Sequence, residues 1–166
     1  MFRMTEDFLS SWGHEREATM KVLTRLTDES LNQKISDGSR TLGRLAWHIT
    51  QTVPEMMNLT GLSVNGPETT APIPTSAKEI ADAYNHASQS VAEQVKQNWT
   101  DASLLEEDNM YGMSWNRGTT LTILISHQAH HRGQMTVLMR QAGLTVPGVY
   151  GPAKEEWASM GMEPME

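Results

Sequence analysis

The chain has 166 residues and a formal net charge of −7, with 20 acidic side chains against 13 lysine and arginine side chains. This length suits a single domain that folds without staples, so we expect one domain over residues 1–166 with a frayed tail at about 160–166. The negative charge argues against a nucleic-acid-binding surface, which needs a basic stripe. The chain has no cysteine, so a metal site can use only His, Asp or Glu, and thiol chemistry requires an external thiol.

The first residues, MFRMTEDFLSSWGHE, are too polar for a signal peptide because they include Arg3, Glu6 and Asp7. No apolar run reaches the roughly 18 residues that a membrane-spanning helix requires. We therefore expect no membrane association. The absence of cysteine is consistent with the cytoplasm, and we expect a cytoplasmic protein.

Hydrophobic periodicity predicts two long helices in the first part of the chain. The first covers about Thr5–Thr27, and the second runs from a cap at Ser39 or Thr41 to about Leu59. Pro54 lies inside the second helix and is expected to kink it or to break it locally. Residues 61–76 contain three prolines and two glycines, which predicts an exposed connection.

Two more long helices are predicted in the second part of the chain. The third covers about Ala77–Asn98, and the fourth runs from Gly118 or Thr119 to about Gly143. Residues 99–117 between them are expected to be irregular, with room for a short hairpin around MYGMSWNRG. A short helix at Lys154–Ser159 completes the pattern. Four long helices without a convincing strand pair predict an all-α fold, a four-helix bundle with long connections.

Three of the six histidines lie within five positions, at His127, His130 and His131. When residues advance by about 100° around the fourth helix, His131 falls inside its apolar stripe and His127 at the edge. His130 points roughly 140° away from that stripe. Since His127 and His131 are four residues apart, their rings are neighbours and can present two nitrogen atoms to one cation. The pair alone leaves open whether these histidines bind a metal or are only hydrogen-bonded.

A metal site needs a third ligand from a neighbouring helix. His48, in LGRLAWHIT, is the best candidate because it lies near the middle of the second helix, on the flank of its apolar stripe. An isolated histidine on a helix flank is usually solvated, so His14, His86 and His130 are interpreted as surface residues. Gly133 is expected to allow close approach of another helix.

The segments LGRLAWHIT, HQAHHRGQMTVLMRQAG and VPGVYGP resemble the DinB/YfiT-like family of DNA-damage-inducible proteins. The resemblance extends from the first helix to VYGP, and its most specific part is the pattern HxxxHRGQ. It implies a four-helix bundle, commonly a homodimer, and a divalent metal, usually zinc or nickel, held by three histidines. By position these are His48, His127 and His131, and helical phase independently selects the same pair on the fourth helix.

Characterised relatives in that family include thiol-dependent isomerases and S-transferases. The resemblance therefore implies a divalent-metal-dependent enzyme that transfers a low-molecular-weight thiol to a small-molecule electrophile. A bound cation would favour this by lowering the pKa of the thiol. The alternatives are a metal-hydroxide hydrolase and a metal-binding stress-response protein without turnover. No catalytic residue is assigned, and Gln51, Glu55 and Gln134 are candidate hydrogen-bond partners for the ligand histidines.

Overall fold

The computed structural model describes residues 1–163, which form five α-helices and one β-hairpin. In chain order the elements are α1 (Thr5–Leu23), α2 (Leu42–Asn58), α3 (Ala77–Asn98), β1 (Glu107–Met110), β2 (Met113–Asn116), α4 (Arg117–Gln141) and α5 (Lys154–Trp157). Short 3-10 turns lie at Glu29–Asn32, Ala102–Leu105 and Ala158–Met160. Residues 164–166 of the expected frayed tail lie outside the described residues.

The four long helices, α1 to α4, surround a common apolar core. Helix α1 packs against α3 and α4, and α2 packs against the same two helices. Phe8 and Trp12 of α1, Ile49 of α2 and Tyr84 of α3 are fully buried there. Each such side chain contributes about 1.5–3 kcal/mol by leaving water, so the amphipathic stripes bring the helices together. No helix within residues 1–163 is long and apolar enough to cross a membrane.

The mostly helical expectation is confirmed, but the all-α class is wrong because β1 and β2 pair as an antiparallel hairpin. Glu107 lies opposite Asn116, and Met110 lies opposite Met113. The turn residues Tyr111 and Gly112 have φ values of 57° and 82°. Two positive φ values in succession give the turn a twist that matches the two strands.

Helix α2 runs continuously through Pro54, so the expected local break does not occur. Proline has no backbone N–H, so α2 lacks one helical hydrogen bond at Pro54, four residues before the helix ends at Asn58. Helix α1 ends at Leu23, four residues earlier than the expected Thr27. The hydroxyl of Thr24 donates a hydrogen bond to the carbonyl oxygen of Met20 at 2.8 Å and occupies an acceptor at this end.

A buried glutamine fixes α4 against α2. The Nε2 atom of Gln128, a fully buried residue, donates a hydrogen bond to the backbone carbonyl of Ile49 at 3.0 Å. Gln128 follows His127 in the chain, and Ile49 follows His48. This contact therefore fixes the position of α4 along α2, and these are the two helices that carry the three predicted ligands.

Candidate metal centre

The structure brings the three predicted ligands together. Histidine 48 projects from α2, while His127 and His131 project from successive turns of α4. The ring centroids are 5.0 Å apart for His48 and His127, 4.6 Å for His48 and His131, and 4.5 Å for His127 and His131. One nitrogen atom from each ring lies within 4.8 Å of the others. Three imidazoles at this spacing could hold one metal ion.

Gln134 orients His131. The Nδ1 atom of His131 lies 2.8 Å from Oε1 of Gln134. Because an amide oxygen only accepts, the imidazole carries its proton on Nδ1 and keeps the lone pair of Nε2 free. The Nε2 atom of Gln134 lies 3.2 Å from Nε2 of His130, which fits the same amide orientation. Sequence reasoning therefore named one correct partner in Gln134.

The other two candidate partners have different contacts. Gln51 donates from Nε2 to backbone carbonyl oxygens, the nearest that of Glu68 at 2.7 Å. Its Oε1 atom accepts from Arg44 at 3.1 Å. Glu55 accepts a long hydrogen bond from the hydroxyl of Tyr111 at 3.4 Å. Neither residue forms a hydrogen bond with a ligand histidine within the part of the chain that the structure describes.

The electrostatic environment keeps the three imidazoles neutral. Burial, reinforced by His131 and His127, lowers the pKa of His48 from 6.5 to about 4. Burial, then the neighbouring His131, lowers the pKa of His127 from 6.5 to about 4. Burial also lowers the pKa of His131, and the positive charge of Arg40 acts in this direction on all three rings. Neutral imidazole is the form that coordinates a metal, so these shifts favour coordination near neutral pH.

The donor set fits a divalent transition metal. The Nδ1 atom of His127 is buried and has no hydrogen-bond partner within residues 1–163, and such an atom costs free energy unless something binds it. Three imidazole nitrogens without a carboxylate suit zinc, nickel or cobalt better than magnesium or calcium.

The remaining histidines take no part in this cluster. His14, His86 and His130 are exposed, which confirms their interpretation as surface residues. The expectation for Gly133 is wrong, because a Cβ atom built there would meet no other atom within 4 Å. This glycine faces open space, since α4 turns that side toward solvent.

A buried ion pair that involves Arg132, the residue after His131, was missed from the sequence. Arg132 donates to Oε1 of Glu15 at 2.5 Å and to the hydroxyl of Thr19 at 2.9 Å. The Arg132 and Glu15 side chains are only 3% and 4% exposed. Tyr150 accepts from Arg132 at 2.8 Å and donates to Oε2 of Glu15 at 2.6 Å. The sequence did indicate that Glu15 is buried, because it lies three residues after Trp12 and therefore on the buried stripe of α1.

Two cavities reach the histidine cluster. The first, called the Arg40 pocket, has a volume of about 470 Å³, and its lining includes Ile35, Arg40, Leu45, His131, Val137 and Leu138. The second, called the hairpin pocket, has a volume of about 330 Å³, and its lining includes His48, Glu55, Tyr111, Trp115, Ile123 and His127. Both volumes are in the range of small-molecule sites. The cluster thus contributes ligand side chains to two separate cavities.

Comparison with known proteins places this geometry in a family. The model of the DinB family matches residues 1–166. The uncharacterized protein YrdA of Bacillus subtilis strain 168 is 52% identical over 163 residues, which cover 98% of each chain. A crystal structure of a DinB-like protein from Bacillus cereus ATCC 10987 shares 50% identity with a TM-score of 0.87, over 90% of this chain and all of that one.

A more distant structure supports the fold alone. The DinB-like protein YjoA of Bacillus subtilis is 18% identical with a TM-score of 0.68, over 89% of this chain and 99% of its own. The match of the family model over the full length, joined to the high identity with YrdA, decides the assignment. The chain belongs to the DinB family.

Proposed function

We propose that this protein is a divalent-metal-dependent enzyme that transfers a low-molecular-weight thiol to a small-molecule electrophile. His48, His127 and His131 are the proposed ligands, and zinc or nickel is the proposed metal. The observation that carries the proposal is the convergence of three neutral imidazoles between two separate cavities, one lined by His131 and the other by His48 and His127. Two cavities at one cluster suit a reaction with two organic substrates, whereas hydrolysis requires room for only one.

A cation held by three neutral imidazoles would supply Lewis acidity that lowers the pKa of a thiol. The protein's own residues provide the frame for this chemistry. Gln134 fixes the ring of His131 through its Nδ1 proton, and Gln128 holds α4 at the level of His48. Arg132 and Glu15 anchor α4 to α1 directly beside His131. Preorganised ligands of this kind lose little free energy in reorganisation when the reaction occurs.

The proposed reaction balances without a redox partner. The thiol releases its proton to solvent, and its sulfur forms a bond to the electrophilic carbon. The bond from that carbon to its leaving group breaks, and the leaving group departs with the electron pair. With monochlorobimane as the electrophile, the leaving group is chloride. Since the chain has no cysteine, the nucleophilic sulfur must come from the second substrate.

The hairpin pocket is the proposed site for the electrophile. Tyr111 and Trp115 are T-shaped neighbours with ring centroids 6.2 Å apart, and they line this pocket with His48 and His127. Aromatic walls favour a flat, apolar electrophile. Trp115→Ala should therefore raise KM for monochlorobimane and leave bound metal unchanged. Trp157→Ala is the matched control, because Trp157 lines neither of the two pockets.

The decisive experiment measures loss of monochlorobimane by the zinc- or nickel-loaded protein across a panel of physiological thiols. The expected result is a thiol-dependent rate above the uncatalysed background that disappears in His131→Ala. Ester or amide cleavage without thiol would support the hydrolase alternative instead. No turnover in either assay, with metal bound, would leave a metal-binding stress-response protein.

We also propose a fold class, an assembly state and a location for this protein. The ring of contacts among α1 to α4 supports classing the fold as a four-helix bundle that carries an added hairpin. A cytoplasmic homodimer is proposed from the family resemblance, with no nucleic acid or membrane as partner. Light scattering at micromolar concentration should give twice the chain mass of 18.5 kDa, and a value at the single-chain mass would contradict the dimer.

A further inference from the structure

Arg40 is a charged side chain without an opposite charge to bind. Within residues 1–163 this exposed side chain forms neither a salt bridge nor a side-chain hydrogen bond, whereas Arg117, Arg132 and Arg140 each pair with a glutamate or aspartate. Arg3 and Arg25 are unpaired in this range as well, but only Arg40 lines a cavity that reaches the histidine cluster. The chain has an excess of acidic residues, so carboxylates are available elsewhere on the surface. An arginine left unpaired in such a protein, at the wall of a cavity, leaves its guanidinium free for a ligand.

Half of the residues that line the Arg40 pocket are aliphatic, and the polar ones besides Arg40 are Ser39, Gln134 and His131. Leu45 and Leu138 are buried at its wall, while Ile35 is 62% and Val137 is 47% exposed to solvent. Exposed aliphatic side chains that border a cavity gain free energy when a ligand covers them. At the inner end, His131 connects this pocket to the histidine cluster. The pocket therefore presents a cation, an aliphatic wall and a metal-ligand side chain to a single occupant.

We propose that the Arg40 pocket binds a small organic carboxylate, with the carboxylate on the Arg40 guanidinium and the hydrocarbon part against Ile35, Val137 and Leu138. A planar guanidinium matches a carboxylate through two parallel hydrogen bonds. A second part of the proposal rests on the proposed function: the ligand is the thiol substrate, which carries a carboxylate and points its sulfur toward His131. Such a molecule is anionic at one end and becomes anionic at the other when its thiol ionises.

The carboxylate arm is tested on metal-free protein, so that it does not depend on the proposed reaction. Calorimetric or NMR titration compares hexanoate with 1-hexanol for the unmodified protein, Arg40→Gln and Arg3→Gln. Arg3 is the matched control because it is exposed near the opposite end of α4, where Phe2 bonds to Gly118. We expect hexanoate to bind more tightly than hexanol, and Arg40→Gln to weaken hexanoate by about tenfold or more, the usual effect of losing a charge-assisted hydrogen bond. Arg3→Gln should bind as the unmodified protein does.

The thiol arm uses zinc-loaded protein with 3-mercaptopropionate and its neutral counterpart 3-mercapto-1-propanol. Arg40→Gln should weaken binding of 3-mercaptopropionate and leave binding of 3-mercapto-1-propanol unchanged, with bound zinc and thermal unfolding unaltered.

Equal affinity for hexanoate and hexanol, or an Arg40→Gln variant that binds hexanoate as well as the unmodified protein does, would overturn the inference even if thiol transfer occurs. Arg40-dependent hexanoate binding without any thiol-dependent turnover would support the pocket and reject the proposed function. Inorganic phosphate serves as a second anion, and tighter binding of phosphate than of hexanoate would also overturn the assignment.

Discussion

Single side chains decide whether the histidine cluster binds metal. His127→Ala or His131→Ala removes one of three donors, so the affinity for zinc or nickel should fall by more than the roughly 10–100-fold that loss of an outer hydrogen bond causes. His48→Ala should have the same effect, because the centroid of its ring lies within 5.0 Å of the other two, which are 4.5 Å apart. Metal content by elemental analysis after dialysis measures the effect.

His130→Ala is the control for this prediction. It neighbours His131, with ring centroids 4.8 Å apart, but it is exposed and lies outside the cluster. Its loss should leave metal content nearly unchanged. If His130→Ala loses as much metal as His131→Ala does, the assignment of the inward-facing pair is wrong.

Helical phase was sufficient to sort the histidines, because it depends only on the angle between residues on one helix. It separated His131 from His130 without any structure. The same rule could have identified Glu15 as buried, but carboxylates are so rarely buried that hydrophobicity patterns assign them to the surface. The partner that makes its burial tolerable, Arg132, is 117 residues away, and no local pattern connects the two.

At the scale of elements, the Glu15–Arg132 pair joins α1, α4 and the segment that carries Tyr150. Glu15→Ala should destabilise the protein by about 3–5 kcal/mol, because it leaves the buried guanidinium of Arg132 without its counter-charge. Glu17→Ala is the matched control, since Glu17 lies two residues further along α1 and is exposed. Denaturant unfolding of both variants measures the difference.

A double replacement separates the cost of an unpaired charge from the loss of an attractive contact. Glu15→Leu with Arg132→Met removes both charges and should recover much of the stability that Glu15→Ala loses. If Glu15→Ala is no less stable than Glu17→Ala, the pair does not anchor α1 to α4.

The structure confirms the short hairpin that the sequence allowed around MYGMSWNRG, but local sequence could not settle it. Its turn uses Tyr111 and Gly112, whereas the strong signals for such turns are Asn-Gly and Asp-Gly. Strands of four residues also give little alternation to detect. The long helices were predictable because their apolar stripes recur over several turns, although buried Gln128, His131 and Arg132 interrupt the stripe of α4. The end of α1 was not predictable, because no glycine or proline marks the stretch that follows Leu23.

At the scale of the whole molecule, the position of the cluster depends on which helices pack together. The sequence favoured His48 as the third ligand because of its place near the middle of α2, and the packing of α2 against α4 brings it to His127 and His131. Helix pairing is set by the combined fit of all four apolar stripes. Periodicity within one helix therefore cannot determine which helices pair, and the family resemblance independently implied the same third ligand.

The core extends well beyond the metal centre, so metal removal should lower stability without unfolding the chain. A ligand that binds only the folded state stabilises it by about 2.7 kcal/mol at 100 times its Kd. A chelator should therefore lower the Tm of the metal-loaded protein and leave far-UV helical signal intact at room temperature. Chelation of the His131→Ala variant should change Tm little. Loss of most helical signal on chelation would show that the fold requires the metal.

The metal-free protein should lose stability as pH falls from about 6.5 to about 4. In the folded state the pKa of His48 and that of His127 are each about 4, against 6.5 for the unperturbed side chain. Between these values the unfolded chain binds more protons than the folded chain, so acidification favours unfolding. The stability that these two neutral imidazoles contribute is fully present above about pH 6.5 and is lost below about pH 4, where both states are protonated.

The double variant His48→Gln, His127→Gln lacks both imidazoles, so its Tm should fall less steeply with pH across the same window. Some fall should remain, because the variant keeps its carboxylates. Parallel Tm profiles for the two proteins would mean that burial does not hold these imidazoles neutral, and would remove the electrostatic reason for metal binding at neutral pH.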